Sequence, residues 1–286
     1  MDQGDLALTD REFERVKQRV YRAAGISLSD VKRTLVVSRL YKLVRARGLP
    51  SFDAYLDFLE RAGTPEDAQD FVNALTTNLT RFYREDHHFE HLAQHVGALI
   101  ANPPRRGAAG RPRLRIWSAG CSTGQEPYTI ALCLLAAYPE LKRWDFRILA
   151  TDIDTNVLGR AASGIYPGAE IADLAPERAA PFERLASGEV RVPAAARELI
   201  AFKPLNLIEA WPVKGPFDAI FCRNVAIYFD KPTQAQVFGR FRGVLAPDGF
   251  LYIGHSENLG AGAAEFRLVG KTIYQPRPAQ KARNAA

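Results

Sequence analysis

The segment Ser118-Ala-Gly-Cys-Ser-Thr-Gly-Gln-Glu-Pro127 is a turn that can bring the backbone against a ligand, because Gly120 and Gly124 carry no Cβ. Asp152 follows the short apolar run 146–151, where a carboxylate can accept hydrogen bonds from both hydroxyls of a ribose. The turn is not the dinucleotide pattern G-x-G-x-x-G, and it lacks the Gly-Lys-Ser/Thr of a phosphate loop. Together these features favour a ligand that carries a nucleoside but no phosphate.

Such residues need a sheet to present them. Runs 114–118, 146–151, 199–202, 217–222 and 250–253 read as buried strands, with helical stretches such as 128–138 between most of them and a closing hairpin arm at 267–274. This alternation predicts an α/β, doubly wound, mainly parallel sheet whose ligand lies outside the carboxyl ends of the strands. Residues 164–198 interrupt the alternation with short polar pieces, so a small inserted subdomain is expected there.

The first hundred residues follow a different grammar. Thr9 with Glu12 forms a capping-box signature ahead of Phe13, Val16 and Val20 at helical spacing. Ser29 is expected to cap a second helix that Gly48 closes, while Ser51 and Thr64-Pro65 open two more. A further helix covers 85–100, and a connector rich in proline, glycine and arginine leads to the first strand. The expected domains are therefore helical over 1–76 and catalytic over 77–286. The insertion falls at about 164–198, and a disordered tail is expected from about 276.

Composition fits a globular protein, and no run approaches the ~20 apolar residues of a membrane helix. The acidic amino terminus lacks the profile of a signal peptide, so a cytoplasmic location is expected. Cys121, Cys133 and Cys222 show no metal-clip spacing. His87, His91 and His95 repeat at i, i+4 and i+8 but lack a His-Glu-x-x-His pattern, so no metal site is expected. Residues 11–47 hold eleven basic side chains against Glu12, Glu14 and Asp30, an excess of eight positive charges. Lys32, Arg39 and Lys42 fall on one face of the second helix, a candidate docking surface for an acidic partner.

Five segments occur in order: Leu75-Thr-Thr-Asn-Leu-Thr-Arg-Phe-Tyr-Arg-Glu85, Ala119-Gly-Cys-Ser-Thr-Gly-Gln-Glu-Pro-Tyr128, Ala150-Thr-Asp-Ile-Asp154, Phe221-Cys-Arg-Asn-Val-Ala-Ile-Tyr-Phe-Asp230 and Gly254-His-Ser-Glu-Asn258. Together they resemble the CheR family of chemotaxis-receptor methyltransferases, over nearly the whole chain. The resemblance implies a class I S-adenosylmethionine-dependent methyltransferase fold with a small all-helical N-terminal domain and an inserted antiparallel β-subdomain. It implies methyl transfer from S-adenosyl-L-methionine to glutamate side chains of methyl-accepting chemotaxis receptors, leaving S-adenosyl-L-homocysteine. The implied cofactor contacts are Asn78, Thr80, Arg84, Glu126, Asp152, Asn206, Leu207, Arg223 and Asn224, alongside Gly120 of the turn. Arg84 and Tyr228 are placed beside the methyl group, and Lys32, Arg39 and Lys42 against the receptor. Ala226 departs from the larger apolar residue usual in that motif. The segment 184–190 is shorter than in members that hold a receptor's C-terminal pentapeptide, so recognition independent of that peptide is expected.

Two rival readings remain at this level: a methyltransferase of RNA or another protein, and a cofactor-binding regulator without catalysis. Against nucleic acid, Arg223-Asn-Val-Ala stands where amino-group methylation of adenine would call for Asn/Asp-Pro-Pro-Tyr, and no nucleic-acid module is present. No nucleic-acid partner and no direct membrane insertion are expected. Arg84, Asp152 and Tyr228 are all retained, which opposes the regulator.

Overall fold

Glu12 N–H donates to Thr9 Oγ1 at 3.2 Å while Glu12 Oε2 accepts the Thr9 N–H at 2.7 Å, closing the expected capping box. It starts α1 (Asp10–Ala24), the first element of a computed structural model that describes residues 6–278. Helices α2 (Arg33–Ala46), α3 (Phe52–Arg61) and α4 (Pro65–Leu75) complete a bundle around Phe13, Val16, Val20, Val36, Leu40, Val44, Phe52 and Phe71. Ser51 and Thr64 cap α3 and α4 as expected. Ser29 makes no capping bond. A 3₁₀ turn over Asp30–Lys32 intervenes, so α2 starts three residues later than expected and Lys32 lies in that turn.

Tertiary packing commits four of the eleven basic side chains of 11–47 to ion pairs. Arg15 pairs with Asp53, Asp57 and Glu60 of α3 at 2.5, 2.8 and 3.1 Å; Lys17 pairs with Glu14 and Asp30; Arg33 meets Asp10, and Arg47 meets Asp67. Arg39, of the expected docking face, is half-buried, and its Nη1 donates to the carbonyls of Ala74 and Thr76, bracing the end of α4. Lys32 and Lys42 are exposed and enter no ion pair among the described residues.

α5 (His87–Ala101) leads into the sheet domain. The elements that follow are β1 (Arg113–Ala119), α6 (Gln125–Ala137), β2 (Asp145–Asp152), α7 (Thr155–Ser163), β3 (Ile165–Pro167), α8 (Pro176–Ala179), β4 (Glu183–Arg184), β5 (Glu189–Arg191), α9 (Ala194–Arg197), β6 (Ile200–Pro204), β7 (Phe217–Cys222), α10 (Lys231–Val244), β8 (Leu245–Ile253), β9 (Phe266–Gly270) and β10 (Ile273–Pro276). The seven-stranded sheet runs β6-β2-β1-β7-β8-β10-β9. Its first five strands are parallel, and the β9–β10 hairpin adds antiparallel. β7 is buried along its whole length, as a central strand covered by helices on both faces must be.

A separate three-stranded antiparallel sheet, β3-β5-β4, forms the expected insertion. The connector before β1 is anchored, because Arg105 donates to Asp218 Oδ1 at 2.7 Å and Asp218 Oδ2 accepts the Arg115 N–H at 2.7 Å. At the start of the tail expected from 276, Pro276 belongs to β10, and Arg277 N–H donates to Glu265 O at 2.8 Å. Residues 279–286 of that expected tail lie outside the described residues. The three histidines of the i, i+4, i+8 row are used in packing. His91 Nδ1 lies 3.0 Å from Tyr252 Oη, and His95 packs edge-on against Phe250. Among the described residues no group of three or more His, Cys, Asp or Glu could hold a metal ion.

Candidate active site

The chain lays down β1, moves outward to β2 and β6, then returns to β7 on the other side of β1. The loops leaving β1 and β7 therefore diverge, and a crevice opens at their carboxyl ends. The helical bundle covers it, leaving a cavity between the two. All eleven residues expected at the cofactor and catalytic site line this cavity: Asn78, Thr80, Arg84, Gly120, Glu126, Asp152, Asn206, Leu207, Arg223, Asn224 and Tyr228. Apolar walls come from Ala24, Ile26, Leu75, Phe89, Leu205 and Phe229.

Asp152 ends β2 with both oxygens fixed by backbone donors. Oδ2 accepts the Ser122 N–H at 2.8 Å, and Oδ1 accepts the Asp154 N–H at 3.0 Å. Each oxygen keeps a free lone pair for a ribose hydroxyl. Burial pushes the Asp152 carboxyl up from its ordinary range, and those backbone bonds pull against it. Glu126, in the first turn of α6, accepts Ser118 Oγ–H at 2.7 Å and lies 3.4 Å from Arg223 Nη1. Burial raises its carboxyl as well, against the pull of Arg223 and Ser118.

Arg223 sits over the Phe89 ring at 5.3 Å and donates to the Arg84 carbonyl. Its Nη2 lies 3.3 Å from Glu85 Oε2. Burial acts to raise the Glu85 carboxyl, but the bonds from His255 and the charge of Arg223 prevail and hold it low. His255 itself is exposed and braces Glu85 at 2.9 Å, so it supports the wall from behind and is not among the residues lining the cavity.

Other expectations change in detail. Gly124 serves packing within the protein, since a Cβ there would meet Tyr166 Oη at 2.8 Å and Ala161 Cβ at 2.9 Å. Gly120, at φ +84°, lets the turn press against Val225, whose Cγ2 would lie 2.3 Å from an added Cβ. The Asn206 amide, expected at an adenine edge, donates to Ala23 O at 2.8 Å and Glu209 Oε1 at 3.0 Å, tying α1 to the loop after β6. Leu207 is buried beside it and presents an apolar wall.

Two organising carboxylates carry no role in the sequence reading. Asp154 Oδ1 caps α7 through the N–H groups of Asn156 and Val157, while Oδ2 accepts Thr76 Oγ1–H and Asn78 Nδ2–H, each at 2.7 Å. It therefore ties the linker between the domains to the end of β2. Glu257 Oε1 accepts the Ile227 N–H at 3.1 Å, and Oε2 accepts those of Asn224 and Gly254. The available signals were an Asp ahead of a helical run and the acid of Gly254-His-Ser-Glu257, but neither showed which distant donors it would meet.

The donor set suits S-adenosylmethionine. A carboxylate stands where a ribose needs acceptors, Glu126 offers a negative charge to an ammonium, and Arg84 offers a guanidinium to a carboxylate. The lining holds no lysine, which a phosphate-binding loop would supply. The family model described as "CheR methyltransferase, all-alpha domain" matches residues 11–76, and that described as "CheR methyltransferase, SAM binding domain" matches residues 78–275. The chemotaxis protein methyltransferase of Salmonella typhimurium is 45% identical over 275 residues, covering 94% of this chain and 91% of that protein. That of Escherichia coli is 44% identical over 277 residues, covering 94% and 92%. Chemotaxis protein methyltransferase 2 of Pseudomonas aeruginosa is 44% identical over 275 residues, covering 94% of each. With the cavity's chemistry and both halves of the chain in agreement, the chain belongs to the CheR methyltransferase family and is an S-adenosylmethionine-dependent methyltransferase.

Proposed function

We propose that the chain methylates glutamate side chains on the cytoplasmic helices of chemoreceptors, forming methyl esters in chemotactic adaptation, and that it works in the cytoplasm. Relatives bearing the name chemotaxis protein methyltransferase at 44–45% identity support the receptor as acceptor. The observation that carries glutamate is what the cavity lacks: its lining has no histidine and no lysine to take a proton from an incoming amine or hydroxyl. Its two acids already have work, Asp152 with backbone donors and Glu126 with Ser118 and Arg223. An acceptor that is already an anion needs no base, and a glutamate carboxylate with an ordinary pKa of ~4.3 is one.

Bound S-adenosylmethionine supplies a methyl group on a sulfonium cation. Asp152 would hold the ribose and Glu126 would face the ammonium, and both line the cavity. Arg84, anchored by donating to the Leu79 carbonyl at 3.0 Å, orients the incoming carboxylate with its guanidinium. Tyr228 lines the same cavity from the turn after β7. With the sulfonium as methyl donor and leaving group, an acceptor carboxylate would need no proton removed before it attacks. Attack of an anion on a cation disperses charge, so the bundle's exclusion of water from the crevice favours the step.

The test is transfer of radiolabelled methyl to a purified receptor cytoplasmic domain, followed by mild alkali. Release of the label as methanol is expected; label that survives alkali, or that enters RNA instead, would overturn glutamate as the acceptor. Recognition independent of a receptor's C-terminal pentapeptide is supported by the tight β4–β5 turn, where Gly188 N–H donates to Leu185 O at 3.1 Å. Micromolar binding of such a pentapeptide in a calorimetric titration would refute it. Lys32 and Lys42 remain the proposed basic contacts to the receptor, without Arg39.

A further inference from the structure

The linker over the cavity alternates. Asn78 and Thr80 are partly buried, whereas Thr77, Leu79 and Arg81 are exposed. In an extended segment successive side chains point to opposite sides, so the residues that turn one face to the cofactor must present the others at the cavity mouth. Leu79 is the extreme case, with 83% of its surface exposed while it borders the cavity. Ile227, 48% exposed, directly precedes Tyr228 of the lining. The turn that carries Ile227 is held rigidly, by Glu257 at Ile227 N–H and by Ser27 N–H donating to Tyr228 O at 2.8 Å. An exposed leucine on the cavity lining and an exposed isoleucine on the held turn beside Tyr228 are costly to leave in water unless a partner covers them.

We propose that Leu79 and Ile227 form an apolar clamp on the acceptor helix, and that Arg81 beside them pairs with an acidic residue flanking the methylated one. The occupant is an amphipathic helix that carries acidic side chains and an aliphatic residue within one turn of the target, a class that rests on the glutamate reading above. Charge argues for this occupant. Arg81 at the mouth is exposed, as are Lys32 and Lys42 on the bundle, and none of the three enters an ion pair among the described residues. The apolar pair seats the helix, and the cations fix its rotation so that a carboxylate faces Arg84.

Steady-state methylation of a purified receptor cytoplasmic domain by the full chain tests this, with cofactor affinity measured separately by titration with S-adenosylhomocysteine. Leu79→Ser and Ile227→Ser are each expected to raise the KM for the receptor domain about tenfold, while the cofactor Kd stays within about twofold. Leu79→Met is expected to restore KM, and Arg81→Glu to raise it while flattening its dependence on salt. An unchanged KM in both serine variants, with wild-type enzyme still giving alkali-labile label, overturns the clamp alone. A cofactor Kd that rises in step with KM also overturns it, because the effect would then run through the Leu79 carbonyl that anchors Arg84. Wild-type label that resists alkali overturns the glutamate reading and the clamp together.

Discussion

Glu257 Oε2 accepts the backbone N–H of Asn224 at 2.9 Å and thereby holds that asparagine in a left-handed conformation, φ +59°. From this fixed point the chain turns back to place Tyr228 on the cavity wall. Glycine tolerates such a backbone freely, whereas a residue with a side chain adopts it only when its surroundings compel it. Replacing Glu257 with alanine leaves three backbone N–H groups without their acceptor. The expected result is a loss of about 2–4 kcal/mol in stability by urea unfolding. Glu257→Gln keeps an acceptor at Oε1, so it is expected to retain the fold while lowering kcat more than it raises the KM for either substrate.

Asp154→Asn separates two roles of one side chain. The amide oxygen can still cap α7, but an NH2 group replaces the oxygen that accepts from Thr76 and Asn78. The linker should loosen over the cavity while the sheet domain stays folded. A cofactor Kd raised about tenfold, with a melting temperature within a few degrees of wild type, is the expected outcome. Titration calorimetry and a thermal melt measure the two effects.

The raised carboxyls of Asp152 and Glu126 set the direction of a pH effect. Both are wanted as anions, one for ribose hydroxyls and the other for an ammonium, and burial makes each bind its proton more readily than an exposed carboxylate would. Cofactor affinity is therefore expected to be full near neutrality and to fall as pH drops, starting above the ordinary carboxylate range of ~4. Glu126→Gln should bind more weakly at pH 7 and lose part of the slope. Calorimetric Kd values between pH 7.5 and 5 report both.

Acid should also weaken the fold itself through two buried histidines. His88 has its imidazole pushed down to about 3, by burial first and the nearby Arg223 charge second; burial lowers His95 to about 4. A histidine held neutral in the fold contributes stability that is complete above its unfolded pKa of ~6.5 and is lost as pH falls through that value toward its folded pKa. Between pH 7 and pH 5 each should remove on the order of 1–2 kcal/mol. Urea unfolding at the two pH values checks this, and His95→Phe should reduce the difference.

The sequence by itself determined the local and the periodic. Thr9 with Glu12, Ser51, and Thr64 with Pro65 fixed where three helices begin, because a cap needs only residues three positions apart. Alternating apolar runs fixed the class of sheet, and the five ordered motifs brought the residues of one cavity onto the page before any coordinates did. Ser29 failed as a cap because a 3₁₀ turn intervened, which no residue type announces. Tertiary structure alone decided which charges are free and which polar side chains are already committed. Arg15 meets partners 38 to 45 residues away on α3, Arg39 meets the carbonyl of Thr76, Asn206 meets Ala23, and Glu257 meets Asn224. A hydrogen bond or ion pair reads distance in space, and distance along the chain encodes it only within a turn or two. Within the basic stretch the fold therefore sets acidic partners against Arg15, Lys17, Arg33 and Arg47 and carbonyls against Arg39, while Lys32 and Lys42 enter no ion pair among the described residues. Residues 78–81 looked like a uniform motif until the fold set all four on the cavity lining with Asn78 and Thr80 partly buried and Leu79 and Arg81 exposed.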